Sequence, residues 1–398
     1  MNNLLTNNQQ IASAKKPRND VRVPKLRFKE FEGDWKKVQL GETCIVKTGG
    51  KDTQDRIEDG IYPFFVRSNT VERINSYSFD GEAILTSGDG VGVGKNFHYV
   101  NEKFDYHQRV YALHSFKNGY SGGFIYQVFA EKFYKRVMRL SAKNSVDSVR
   151  MSMITEMKIG FPKLPEQQKI ATFLTAVDTK IQQLKSKKSA LQTYKKGAMQ
   201  QLFSQQIRFK ADDASDFADW EEKKLGEVSD VNPKNSQLPS SFIYIDLESV
   251  NKGRLILQNK ISLEEAPSRA QRVLELNDIL FQTVRPYQMN NLYFEKKGNY
   301  IASTGYAQLR TKESSMFLYQ LLHTHKFVNN VLKNCTGTSY PAINSNDLAK
   351  IKINIPSLKE QQKIAKYLSA IDIKIESVQQ QIKKTQAFKK GLLQQMFV

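Results

Sequence analysis

Two stretches of the sequence carry apolar residues at heptad spacing. In the first, Ile170, Val177, Leu184, Leu191 and Ala198 hold one position. Leu174, Ile181, Lys188, Lys195 and Leu202 hold the other. In the second, Ile364, Ile371, Val378, Thr385 and Leu392 alternate with Leu368, Ile375, Ile382, Lys389 and Met396. Eight of ten positions in each seam are apolar. A 3.5-residue repeat sustained over five heptads predicts a coiled coil. Pro162, Pro165 and Pro356 mark the helix starts. The other faces are rich in Gln and Lys, so one stripe per helix is available for burial. The two stripes most simply bury each other, as an antiparallel pair with one variable domain at each end. Two core helices in separate domains are the alternative. Gly197 and Gly391 are expected to permit a break or a close contact.

Between these helices the pattern changes. Val110–Leu113 and Tyr306–Leu309 follow aromatic, β-prone segments and read as strands. Phe124 to Leu140 and Met316 to Leu332 read as amphipathic helices. The variable regions are therefore α/β.

The two helical tracts are copies. Residues 158–203 and 352–397 align at an offset of 194, with 22 of 46 positions identical. Both hold Glu-Gln-Gln-Lys-Ile-Ala, and both hold Lys-Lys-Gly followed by Gln-Gln. The likeness extends upstream. Leu26-Arg27-Phe28-Lys29 resembles Ile207-Arg208-Phe209-Lys210. Trp35, Leu40, Gly41 and Glu42 match Trp220, Leu225, Gly226 and Glu227. A period near half the chain is too long for a solenoid and implies two similar halves. The expected order is an N-terminal arm without order (1–21), a variable domain (22–157), a helical region (158–206), a second variable domain (207–351) and a second helical region (352–398). Glu166, Gln167 and Gln168, with Glu360, Gln361 and Gln362, read as exposed and repeated. They are the candidate docking residues for two copies of one partner.

Charge narrows the partner class. Lys and Arg number 60 against 40 Asp and Glu, a formal charge of +20. Such an excess favours polyanions. No apolar run approaches the ~18 residues of a membrane span. Met1 to Asp20 lacks the apolar segment of a secretory signal. Cys44 and Cys335 lie far apart and read as packed thiols in a reducing cytoplasm.

Chemical motifs are weak. Gly88-Asp89-Gly90-Val91-Gly92-Val93-Gly94-Lys95 invites a phosphate-loop reading, but Asp89 stands where its first glycine is needed and Asn96 where its Ser/Thr is needed. A glycine-rich loop near DNA and an ordinary hairpin remain. Asp219, Glu221 and Glu222 mimic a metal-nuclease triad, yet Trp35-Lys36-Lys37 fills the matching place in the other half. Asn232-Pro233-Lys234 lacks the second proline and aromatic that an amino-methyltransferase needs. His323 and His325 sit two apart on a helix and face different ways. No catalytic or metal residue is assigned.

The arrangement resembles the specificity subunit of Type I restriction–modification systems. The resemblance runs from about Leu26 to Val398. It rests on the two Glu-Gln-Gln tracts, the Trp-x4-Leu-Gly-Glu starts and Ser339-Tyr340-Pro341-Ala342-Ile343. The first domain departs at the last of these, with Ser148-Val149-Arg150-Met151-Ser152. The resemblance implies two α/β target-recognition domains separated by an antiparallel two-helix coiled coil with pseudo-two-fold symmetry. Each domain would read half of a split double-stranded DNA sequence. Two modification subunits would methylate adenine with S-adenosylmethionine. Motor-nuclease subunits would use ATP and magnesium. This chain would perform no chemistry, hold no cofactor and contact no membrane. A methylation-only complex, a coiled-coil adaptor and a stand-alone nuclease are the competing readings.

Base reading needs forked or amide side chains on loops. The candidates in the first domain are Arg67, Ser68, Asn69, Lys95, His107, Gln108, Arg109 and Arg150. In the second they are Arg285, Tyr287, Gln288, Thr304, Tyr306, Ser339, Tyr340, Asn344 and Ser345.

Overall fold

A computed structural model describes residues 11–12, 23–90, 92–141, 148–234 and 237–397. Most of the expected N-terminal arm lies outside them. The chain divides into two compact units, Met1–Lys185 with Gln380–Val398, and Ser186–Gln379. Two long helices each run through both.

In the first unit, β1 (Ile11–Ala12) pairs antiparallel with β2 (Arg27–Phe28). Strand β3 (Lys36–Gln39) leads into a single helical turn, α1 (Leu40–Thr43). A six-stranded sheet follows, built from β4 (Ile45–Thr48), β5 (Tyr62–Phe65), β6 (Val71–Ile74), β7 (Phe79–Ser87), β8 (Phe97–Tyr106) and β9 (Val110–His114). Its order is β4-β9-β7-β8-β5-β6. Only the β5–β8 pairing is parallel. Helix α2 (Gly122–Leu140) starts where the Ser121 hydroxyl accepts from the Phe124 N–H at 3.3 Å, a side-chain N-cap. It buries Phe124, Ile125, Val128, Phe129, Phe133 and Val137, the stripe that 3.6 residues per turn requires. The short α3 (Met151–Thr155) precedes β10 (Lys158–Phe161), which returns to β3. The long α4 (Leu164–Phe203) then begins.

The second unit repeats this order. Strand β11 (Glu221–Lys224), α5 (Leu225–Val228) and β12 (Ser229–Val231) open it. The strands β13 (Ser241–Ile245), β14 (Val250–Asn251), β15 (Arg254–Leu255), β16 (Asn259–Ser262), β17 (Ala270–Val273), β18 (Ile279–Gln282), β19 (Leu292–Tyr293), β20 (Tyr300–Ser303) and β21 (Tyr306–Thr311) follow. They form two four-stranded sheets, β12-β21-β18-β19 and β16-β13-β20-β17, with β14–β15 as a separate ribbon. The expected helix from Met316 to Leu332 is two helices, α6 (Ser315–Leu321) and α7 (His325–Lys333). Thr324 breaks it, because its hydroxyl accepts from the Phe327 N–H at 3.3 Å and caps a new start. Helix α8 (Ser345–Lys350), β22 (Lys352–Ile355) and α9 (Leu358–Met396) complete the chain. Strand β22 pairs with β11 as β10 does with β3.

All twenty seam positions of α4 and α9 are buried or half-buried. In the first unit Ile170, Leu174, Val177 and Ile181 join Leu392, Met396 and Phe397 in one core with Phe124 and Trp35. In the second unit Ala198 and Leu202 join Ile364, Leu368 and Ile371 around Phe317. The helices run antiparallel in each unit. In the second, Lys188 Nζ donates to Gln379 Oε1 at 2.7 Å, and Lys195 Nζ to Asp372 Oδ2 at 2.8 Å. In the first, Lys389 meets Asp178 at 2.7 Å while the Phe397 ring lies on Phe124, beside the start of α4. The three seam lysines are thus paired across the helices, while Thr385 donates to the Gln381 carbonyl of its own helix at 2.7 Å. Lys389–Asp178 is the copy of Lys195–Asp372 at the 194-residue offset. Each aspartate also accepts from a glutamine of its own recognition domain, Gln127 at 3.2 Å and Gln320 at 3.0 Å.

Neither Gly197 nor Gly391 breaks a helix or lets a neighbour approach. A Cβ at either would meet nothing within 4 Å.

Candidate nucleic-acid interface

The Glu-Gln-Gln residues sit elsewhere than expected. Glu166, Gln167, Glu360 and Gln361 are buried, and only Gln168 and Gln362 are exposed. Arg27 donates from Nε and Nη2 to both Glu166 oxygens at 2.7 Å, and also reaches the Gly33 carbonyl at 2.7 Å. Arg208 repeats the fork on Glu360 at 3.1 and 2.8 Å, and reaches the Ala218 carbonyl at 2.6 Å. Gln167 accepts from the Ser121 N–H at 3.0 Å and donates to the Pro162 carbonyl at 2.8 Å. Gln361 does the same with Ser314 and Pro356 at 3.2 and 2.9 Å. A forked guanidinium satisfies a buried carboxylate, and an amide satisfies the orphan groups at a helix start. The repeated motif is therefore a joint between helix and recognition domain. The sequence disguises this because Glu and Gln are usually surface residues.

In the first domain the candidate segments converge. Arg67 follows β5, and its Nη1 lies 3.3 Å from Asp89 Oδ1. Arg109 Nε lies 3.8 Å from Asp89 Oδ2. The Val149 N–H donates to the Gly88 carbonyl at 2.7 Å, and Asp89 bridges Ser148, which brings exposed Arg150 to the same rim. Ser68 and Asn69 are exposed beside Arg67. The 88–96 connection, apart from Val91, which lies outside the described residues, joins antiparallel β7 and β8 as a hairpin loop. Its Lys95 ammonium lies 5.4 Å from the Tyr134 ring centroid. Asn96 ties this loop to the Arg67 carbonyl at 3.1 Å.

His107 is buried rather than presented. Its Nδ1 accepts from the Arg109 N–H at 2.9 Å, so the neutral ring carries its proton on Nε2, 3.7 Å from Asp52. Burial holds its imidazole below the ordinary value, opposed by Asp52. Gln108 is exposed and donates to Asp52 Oδ2 at 2.9 Å. The Thr53 N–H, helped by Gln108, holds the Asp52 carboxyl below the usual range.

In the second domain Arg285 adopts φ +53°, a left-handed conformation uncommon outside glycine. Its N–H donates to the Pro341 carbonyl at 2.7 Å, and its guanidinium lies 4.2 Å from the Tyr340 centroid. Tyr340 is 65% exposed and Tyr287 48% exposed. Exposed Gln288 accepts from Gln282 Nε2 at 2.9 Å. Ser339 is exposed next to Tyr340. Thr304 is half-buried, with its N–H on the Arg269 carbonyl at 2.9 Å. Two candidates have structural duties. Asn344 caps α8 by accepting from the Asp347 N–H at 2.9 Å. Ser345 accepts from Asn232 at 2.7 Å. Tyr306 is fully buried, and burial pushes its hydroxyl pKa up.

Asp52, Asp89 and Gln282 escaped the sequence reading. In the sequence Asp89 is only the residue that spoils a phosphate-loop spacing, and acids do not suggest DNA contact. Among the described residues no group of His, Cys, Asp and Glu could hold a metal, and no helix is long and apolar enough to cross a membrane.

The chain is similar to known proteins in sequence and fold. The chain is 24% identical to the Type I restriction enzyme EcoDI specificity subunit of Escherichia coli, over 88% of this chain and 84% of that one. It is 25% identical to the MjaVIII specificity subunit of Methanocaldococcus jannaschii, over 92% and 94%. Its fold matches the crystal structure of a Type I restriction–modification S subunit from M. genitalium with a TM-score of 0.65, at 18% identity, covering 97% of this chain and 99% of that one. The Type I restriction modification DNA specificity domain matches the chain twice, over residues 32–193 and 218–386, so the chain belongs to that family.

Proposed function

We propose that the chain reads a bipartite double-stranded DNA target, one half with each recognition domain, and performs no chemistry itself. The carrying observation is the duplication of the joint. Arg27–Glu166–Gln167 fastens one reading surface to the start of α4, and Arg208–Glu360–Gln361 fastens a different one to the start of α9 in the same way. One kind of joint carrying two unlike surfaces suits a target of two unlike halves. Forked arginines, amides and exposed tyrosines on loops are the chemistry of base-edge and backbone contact. The candidate docking residues Glu166, Gln167, Gln168, Glu360, Gln361 and Gln362 now reduce to the exposed pair. Other identical positions are exposed in both copies, namely Ala176 with Ala370, Gln192 with Gln386, Lys196 with Lys390, Gln200 with Gln394 and Gln201 with Gln395. Repeated exposed residues favour two copies of one partner, the modification subunit. S-adenosylmethionine belongs to that subunit, and ATP and magnesium to motor-nuclease subunits that join the same complex in the cytoplasm.

The test is selection from random DNA with the chain assembled on its modification subunit. Two short fixed sequences separated by an unspecified gap are expected. A single continuous site, or no preference, overturns the proposal. Replacing residues 22–157 with a relative's domain should change one half-sequence and leave the other.

A further inference from the structure

We infer that Asp89 is a positioning residue that fixes Arg67 and Arg109 as base readers, and that the half-site read by the first domain contains guanine. This rests on the reading above that the first domain binds DNA. Asp89 gives one carboxylate oxygen to each arginine, at 3.3 and 3.8 Å. Its backbone is the meeting point of the same rim. Gly88 donates to the Arg109 carbonyl and accepts from Val149, both at 2.7 Å, and Asp89 bridges Ser148. Three separated segments are thus registered on one acid.

Charge decides what such an acid is for. A surface built only to hold phosphate gains nothing from a carboxylate between its two cations. Within the trio two guanidiniums less one carboxylate leave a single positive charge, to which Arg150 on the same rim adds one and neutral His107 none. A surface built to read base edges does gain. An unpinned arginine loses rotamer freedom when it docks, and a carboxylate partner removes that loss in advance. Asp89 faces Arg109 at Nε across 3.8 Å, a charge contact longer than a hydrogen bond, which leaves both Nη groups for a forked contact, and the forked partner of arginine in the major groove is guanine O6 and N7. The side chain of Asp89 is 22% exposed, enough to reach the rim and too little to be merely solvated. The second domain supplies a contrast. There Val284 bridges Ala342 as Asp89 bridges Ser148, and Thr283 exchanges the equivalent bonds with Gly305 and Ile343. An apolar residue satisfies the backbone role, so the acid in the first domain serves its side chain.

The test compares D89N, D89E and the unaltered chain, each assembled with the modification subunit, on selected DNA and on single-base variants. D89N should lose roughly tenfold in discrimination at guanine positions of the first half-site. Its affinity for unrelated DNA should not fall, and discrimination at the second half-site should not change. D89E should recover part of the loss. Equal strengthening on every sequence would make Asp89 a plain electrostatic brake and overturn the inference. So would a first half-site without guanine, or loss of all binding with a lowered melting temperature. If the unaltered chain shows no sequence preference, the functional reading itself fails.

Discussion

The two recognition domains keep the same strand order but treat one hairpin differently. In the first, β7 and β8 run unbroken over nine and ten residues, so one sheet of six strands results. In the second, the same course is cut into β17 with β18 and β19 with β20, and two four-stranded sheets replace the one. The cuts fall at 274–278 and 294–299, while Arg285 and Met289, both at positive φ, lie in the loop that joins β18 to β19. The joints tell the opposite story. The forks of Arg27 on Glu166 and Arg208 on Glu360 agree atom for atom, and the two seam Lys–Asp pairs recur at matching positions. Buried charges tolerate few arrangements, whereas loops beyond a sheet tolerate many. The variable part of this molecule lies where variation is cheap.

The sharpest way to break this comparison is to put an acid in the seam. Ile181→Asp should cost about 4 kcal/mol, because it buries an unpaired carboxylate. Ile375→Asp should cost less, since Ile375 is only half-buried. Denaturant titration of both variants checks the order. Next come the joints. Arg27→Ala and Arg208→Ala should each cost about 3 kcal/mol by stranding a buried glutamate. Near-equal losses are expected, and a large difference would show that the joints are not energetic copies. Arg285→Ala should weaken one half-site by about 1–3 kcal/mol if it contacts a base. Binding to unrelated DNA separates that from a phosphate contact, which would weaken all sequences alike.

The smallest effect is set by pH. Burial depresses the imidazoles of His98, His107 and His114 in the first unit and His323 in the second. Each is neutral when folded and takes up a proton more readily when unfolded. Their contribution is whole above a pH of about 6.5 and is lost as pH falls below it. Hydrogen exchange at pH 7.5 and 5.5, corrected for intrinsic rates, should show the first unit losing more protection.

The helices were legible because a heptad seam is a local code, and every seam residue is covered. Strands Val110–His114 and Tyr306–Thr311 were legible for the same reason. Thr324 was not, since a cap inside an apolar stripe competes with periodicity and the periodic signal dominates on paper. The joint is not legible in the sequence, because identity between halves suggests a shared partner while a shared burial problem produces identity as well. Asp89 was invisible because its partners lie 22 and 20 residues away, and no spacing rule links them.

The division of the chain has a consequence for how it comes off the ribosome. The second unit is one continuous stretch, Ser186–Gln379. The core of the first needs Leu392, Met396 and Phe397, which are translated after the whole of the second. Until then Ile170, Leu174, Val177 and Ile181 lack their covering helix. Closing that contact joins residues some 200 positions apart, and long loops close slowly. The first half to be made is thus the last to be finished, and its uncovered apolar stripe is the surface most in need of a chaperone during synthesis.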